Sequence, residues 1–372
     1  DGIADLLYVN DTWDTDNEDG SLANTWLDGI NVTLTMLSGF GMAAGAGVYI
    51  DRFDSKIEIL NIDLGSGKNK LTVRGTTATT TIDMGEEDDI LDVGPGAVES
   101  AAGITGDLSD TKIHGMGGEI TYDDDAETLF ITLGAGQDDF TVKTTNKNVH
   151  TTVNSGGGND LVTVQNTGIN GILNVYGGSG MDYIVFQDHS GVTTLNGDNQ
   201  KDNINDVVPP ACDAQTEPCP GDDRFFIQKA DGNLTVYGGV GADKYFVASG
   251  ADQSSFTTGG VYDDTLSTFG SLSGNLNGVT GKLKVYGNTA GNGGYKDRLY
   301  VYSGSTTTNG VLNDNLLTGL SMSSNGSIEY ATVEELHIKL GIGNDIFTVR
   351  DVPSGVEATV YGGEGTDTLE VG

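Results

Sequence analysis

The sequence predicts an all-β chain folded as a parallel β-solenoid (a β-helix or β-roll) with coils of 20–22 residues. Three observations lead there. A turn motif, G-x-G-x-D-x-Φ-x-V with Φ apolar, recurs along the chain. Clear copies begin at Gly134 (GAGQDDFTV), Gly156 (GGGNDLVTV), Gly178 (GSGMDYIVF), Gly239 (GVGADKYFV), Gly341 (GIGNDIFTV) and Gly363 (GEGTDTLEV). Weaker copies begin at Gly65, Gly85 and Gly260, and degenerate ones at Gly197 and Gly293. The spacing is regular: Gly134 to Gly156, Gly156 to Gly178 and Gly341 to Gly363 are each 22 residues, Gly239 to Gly260 is 21 and Gly65 to Gly85 is 20. A fixed period in this range marks a stack of like units. Each period also holds two short β-rich runs whose apolar residues alternate with polar ones, as in Leu173 and Val175, then Ile184 and Phe186. That alternation is the signature of a half-buried strand. No stretch of useful length has helical periodicity, and the density of Gly and Asp opposes helix.

Taken in order, residues 1–47 form an opening and cap segment. They hold Trp13, Trp26 and the acidic run DTDNEDG. That run departs from an EF-hand loop, because its Gly comes one place late and no Glu stands at the twelfth position. SLANTWLDG suggests a short helical turn that would hide strand edges at the end of the stack. Residues 48–372 form the solenoid. A larger repeat, E-x-L-x-I-x-L-G, appears at Glu58–Gly65, Glu127–Gly134 and Glu334–Gly341. The last two follow the related lead-ins ITYDDD and IEYATV, which add a strand before the coils restart. Strict alternation of Leu129, Ile131, Leu133 and of Leu336, Ile338, Leu340 buries one strand face. Segments of about 94–118 and 267–327 have poorer periodicity and are irregular coils or excursions. A Pro-rich insertion at about 208–222, PPACDAQTEPCPGDD, carries Cys212 and Cys219. Two cysteines so close in such a loop suggest a local disulfide and an oxidising compartment.

Composition narrows the partners. Gly supplies 57 of 372 residues, and the charge balance is 18 − 54 = −36. Such acidity repels phosphates and excludes a nucleic-acid partner. It fits cation binding and an extracellular or cell-surface setting. No apolar run approaches the roughly 18 residues of a membrane span. The chain starts at Asp1 without Met and its repeat pattern runs to Gly372, so it is expected to be a segment of a longer array. Four sequons, at Asn10, Asn31, Asn233 and Asn325, would accept glycans in a eukaryotic secretory pathway.

The repeated turn has its own chemistry. Glycines allow φ > 0, so the chain turns tightly and can aim carbonyl oxygens inward. Asp then places a carboxylate just before the next strand. Carbonyls and carboxylates are hard oxygen ligands suited to Ca²⁺. One turn offers too few of them, and a second turn stacked about 4.8 Å away completes the shell.

GGSGMDYIV, GGVGADKYF and GGEGTDTLE resemble the nonapeptide G-G-x-G-x-D-x-U-x of RTX (haemolysin-type) calcium-binding repeats. The resemblance implies a right-handed parallel β-roll with Ca²⁺ held in the turns. Carried across position by position, the ligands would be Asp138, Asp160, Asp182, Asp243, Asp345 and Asp367, with Asp89 and Asp264 from weaker copies. Backbone carbonyls would come from Gly134, Gly136, Gly156, Gly158, Gly178, Gly180, Gly239, Gly241, Gly341, Gly343, Gly363 and Gly365. In that family the nonapeptides run in tandem and both edges bind calcium. Here a matching turn comes only once per coil, so at most one edge carries ions. Asn69 in place of Asp and the intrusive Lys201 should weaken their coils.

The expected function is that of an extracellular calcium-binding structural or adhesive repeat protein. It would associate with itself or with neighbouring repeats into a filament, appendage or surface layer. The alternative is a carbohydrate-active enzyme or glycan-binding module on a parallel β-helix, the latter through Thr-rich rows in TTATTTI, VHTTV and SSFTT. No catalytic constellation stands out. His114, His150, His189 and His337 are scattered and read as surface residues, and neither H-E-x-x-H nor G-x-S-x-G occurs.

Overall fold

A computed structural model describes residues 5–10, 19–26, 33–39, 48–50, 57–76, 78–95, 103–198, 221–231, 234–252, 257–258, 261–262, 272–287, 296–304 and 307–372. Among them there is no helix. The strands form two long, mostly parallel sheets and one two-stranded ribbon. The chain divides into two compact units, residues 1–157 with 167–173 and residues 158–166 with 174–372.

In the first unit successive strands go to alternate sheets. Ile57–Asp63, Thr79–Asp83 and Ile120–Tyr122 pair in parallel in one sheet. Lys70–Arg74, Ile90–Gly94, Thr128–Gly134 and His150–Gly156 pair in parallel in the other. Alternate residues point inward: Leu71, Val73, Leu91, Val93, Leu129 and Ile131 are all at or below 1 % exposure. This is the period-2 burial the sequence pattern demanded. The expected helical turn near Trp26 is instead the strand Asp19–Trp26, parallel to Lys70–Arg74 and antiparallel to Thr33–Gly39. Sheet pairing on both sides overrides any local turn preference. The irregular stretch near 94–118 contains an antiparallel excursion, Thr105–Leu108 and Lys112–His114, which then meets Ile120–Tyr122.

In the second unit Leu161–Val164, Tyr183–Phe186, Arg224–Ile227, Lys244–Val247, Arg298–Tyr302, Glu335–Lys339 and Glu357–Tyr361 form one continuous parallel run. Opposite strands include Val192–Asn196, Leu234–Tyr237, Lys282–Tyr286 and Ser327–Ala331. The poorly periodic 267–327 segment contributes Lys282–Tyr286 and Arg298–Tyr302 as regular coils. It then adds an antiparallel hairpin, Asn309–Asn313 and Leu316–Gly319, whose turn residue Asp314 has φ 56°. Arg224–Ile227 and Lys244–Val247 are buried on both faces. Their outer residues Phe226 and Phe246 stack with Tyr300 at centroid spacings of 5.1 Å, beneath Ala248, Ala251 and Leu272.

Candidate metal centre: a ladder of turn carboxylates

Each motif Asp sits at the foot of a strand, where parallel register places it one coil from the next copy. Oδ1 of Asp89, Asp138, Asp182, Asp223, Asp243, Asp297, Asp345 and Asp367 accepts a backbone N–H from the preceding coil. In the second unit the Asp160 N–H donates to Asp182 (2.9 Å), Asp182 to Asp223 (2.8 Å), Asp223 to Asp243 (2.9 Å) and Asp243 to Asp297 (2.8 Å). Asp297 N–H donates to Glu334 Oε2 (2.9 Å), and Asp345 N–H to Asp367 (3.0 Å). The first unit repeats the device: Asn69 N–H donates to Asp89 Oδ1 (2.7 Å), Asp89 N–H to Glu127 Oε2 (2.7 Å) and Ile104 N–H to Asp138 Oδ1. Asp89, Asp138, Asp160, Asp182, Asp223, Asp243, Asp297 and Asp345 are all at or below 2 % exposure. Asp264 lies outside the described residues.

The first glycine of the G-G pair makes room for the other carboxylate oxygen. A Cβ at Gly177 would lie 2.5 Å from Asp182 Oδ2, at Gly238 2.0 Å from Asp243 Oδ2, and at Gly362 2.5 Å from Asp367 Oδ2. From the Gly177 and Gly197 positions the neighbouring coil's carbonyl, of Gly197 and Gly238 respectively, is 2.3 Å away. Oδ2 therefore faces a carbonyl oxygen across the cradle. The Oδ2 atoms of Asp89, Asp223, Asp243 and Asp345 are buried and find no hydrogen-bond partner among the described residues. The later glycines serve backbone contact. Gly180 (φ 139°) and Gly365 (φ 125°) each lie against a carbonyl one coil away, where a Cβ would be 1.6–1.7 Å from the oxygen.

Burial is costly for these acids. It pushes Asp223 well above the carboxylate range, helped by the charges of Asp182, Asp243 and Asp198. Asp243 rises in the same way, by burial and then by Asp297. Asp89 rises to about 6, by burial opposed by the Asn69 N–H, with Glu127, Asp125 and Asp88 adding repulsion.

Four ladder members were not foreseen: Asp223, Asp297, Glu127 and Glu334. The coil starting at Gly197 was expected to be weakened by Lys201. The structure shows its motif split instead. A Cβ at Gly197 would meet Asp223 Oδ2 at 1.8 Å, so Gly197 and Gly221-Asp222-Asp223, distant in sequence, complete one turn. Gly287 and Asp297 form a second split turn, with the same contact at 2.3 Å. Glu127 and Glu334 are the Glu of E-x-L-x-I-x-L-G, one methylene longer than Asp. The signal was in the sequence as the G-D-D and K-D-R tripeptides at the start of apolar runs.

The candidate carbonyls are partly committed to the stack. Gly134 O accepts Gly157 N–H, Gly341 O accepts Glu364 N–H, and Gly180 O accepts Gly221 N–H. Each keeps a second lone pair. Carboxylates that come within 4.8 Å of one another in a group of three lie elsewhere, at Asp83, Asp123 and Asp125. Asp123 is pushed up to about 7 by burial and by the neighbouring Asp83.

The reading of the histidines as surface residues is corrected at two of them. His189 is buried, at 1 % exposure, with Nδ1 at the Gly191 carbonyl and Nε2 accepting Asp231 N–H. His337 is half-buried, stacked on Tyr300 at 4.8 Å. In the Thr-rich runs TTATTTI and VHTTV, Thr80 and Thr151 point inward at 0 % exposure while Thr79 and Thr81 face outward, and most of SSFTT lies outside the described residues. Cys212, Cys219, Asn31 and Asn233 lie outside the described residues, whereas Asn325 is exposed in a turn. No helix is long and apolar enough to cross a membrane among the described residues. No known family profile, curated protein or solved structure matches the chain.

Proposed function

We propose that this chain is a right-handed β-solenoid of the RTX-like kind, a calcium-dependent structural or adhesive protein of the extracellular space. The observation that carries the reading is the ladder: one buried acid per coil, in register, with Asp223 Oδ2 beside the Gly238 carbonyl and Asp243 Oδ2 beside the Tyr245 hydroxyl, whose hydrogen goes to the Tyr286 carbonyl. A row of buried carboxylates at coil spacing is strongly self-repelling. A cation shared between coils offsets that repulsion and supplies what the unpartnered oxygens lack. Hard carboxylate and carbonyl oxygens favour Ca²⁺ over zinc or copper. Asp182, Asp223, Asp243 and Asp297 with the first-glycine carbonyls would hold the ions in the second unit, and Asp345 with Asp367 a further one. Bound calcium would act as a staple between coils. At a hundredfold excess over Kd each site contributes about 2.7 kcal/mol to folding.

A ligand-stapled stack with both sheets regular suits a load-bearing or surface-displayed scaffold, built with neighbouring repeats of its own kind. Equilibrium dialysis against radioactive calcium at neutral pH tests the reading. Several ions bound per chain, released together by EGTA, are expected. A chain that stays folded with no bound calcium would sink it.

A further inference from the structure

A separate feature lies on the first unit, at the turns opposite the glycine motif. TTNKN (144–148) and GIN (168–170) stack there, with Asp110, Thr111 and Asp124 beside them, around an open cleft of about 590 Å³. That size is within the range of small-molecule sites. The backbone is built for the stack: Asn148 and Asn170 both take left-handed φ, 62° and 58°, and Asn148 N–H donates to Ile169 O. Gly168 brings the two turns close, its N–H donating to Thr145 Oγ1 at 2.9 Å.

One side chain there lacks a partner. Asn146 lines the cleft at only 6 % exposure, yet among the described residues its amide makes no hydrogen bond. Its amide is not sealed from solvent, so a molecule in the cleft can take the place of water as both donor and acceptor to it. Around it stand Asn148, Asn170, Asp110 and Asp124, and at the rim the side chain of Ile169 is 68 % exposed. Lys147 is paired with Asp124 at 3.7 Å, so it offers no free cation to an anion.

We infer that this cleft binds a neutral saccharide unit. A sugar ring presents adjacent hydroxyls, each both donor and acceptor, which match the amides of Asn146, Asn148 and Asn170. Hydroxyls also donate to the Asp110 and Asp124 carboxylates. The apolar C–H face of a pyranose packs on Ile169. Anionic sugars and phosphates are repelled by the two carboxylates and the overall charge. This inference does not depend on calcium in the turn ladder, which lies at the other turn of the coil.

The test is saturation-transfer NMR with cellotriose in excess calcium, which keeps both units in one state. Wild-type protein is expected to transfer saturation to cellotriose and only weakly to trigalacturonic acid. Asn146→Ala should weaken binding at least tenfold. The double variant Asn148→Gly with Asn170→Gly should do the same, and it is the safer of the two because glycine adopts the left-handed φ without strain. Circular dichroism checks that both variants are folded. No transfer from wild type, equal transfer to the anionic trimer, or undiminished binding in the double variant would each overturn the inference.

Discussion

At the residue scale the motif glycine and the motif aspartate are one device. Gly238 exists so that Asp243 Oδ2 can occupy the space of its side chain, with Tyr245 Oη also 2.2 Å from the same point. Gly238→Ala therefore forces the carboxylate or the ring to move, at a cost of about 3 kcal/mol. A fall in melting temperature with calcium present checks it. Asp243→Asn separates charge from shape. The amide oxygen still accepts the Asp223 N–H, while the buried charge disappears. In EGTA this variant should melt higher than wild type, and its response to calcium should shrink. The same ladder sets a pH dependence. Asp89, Asp223 and Asp243 have folded pKa values raised above their unfolded ones, so the folded state binds more protons than the unfolded one. Their destabilising effect is complete above the folded pKa and vanishes below the unfolded value near 3.9. Calcium-free protein should therefore gain stability as pH falls from 7 toward 5, through the Asp89 value of about 6. Asp107 and Glu335, held low by ion pairs after their own burial cost, act oppositely, and only when the pH nears the ordinary carboxylate range. Melting curves in EGTA at stepped pH decide the sign.

At the scale of elements, alternation was readable because one strand face is buried and the other wet, as in Leu129–Ile131–Leu133. The strands Arg224–Ile227 and Lys244–Val247 escaped that logic because both faces are covered. RFFI and KYFV are near-continuous apolar runs, the mark of a doubly buried parallel strand. Phe246 stacks between Phe226 and Tyr300 on the outer face, at interplanar angles of 10°. Phe246→Ala should cost about 3–5 kcal/mol in the second unit. Hydrogen exchange should show the loss concentrated in strands 224–227, 244–247 and 298–302. The ladder was legible only in intact turns. Asp182, Asp243 and Asp367 stand five residues after their glycine and were found by spacing. Asp223 and Asp297 were not, because insertions of arbitrary length separate them from Gly197 and Gly287. A solenoid tolerates such insertions, since a loop at one turn leaves the strand register untouched.

At the scale of the molecule, a net charge of −36 and a stack of like carboxylates both oppose folding in the absence of cations. The ladder makes that opposition local, and under the proposed function calcium would relieve it there. The most direct measurement is the thermal unfolding of the wild-type chain at pH 7 in millimolar calcium and again in EGTA. With several sites each contributing about 2.7 kcal/mol, calcium should raise the melting temperature by more than about 10 °C. Superimposable melts in calcium and EGTA would contradict the calcium ladder and leave the turn acids as protonated, purely structural hydrogen-bonding groups.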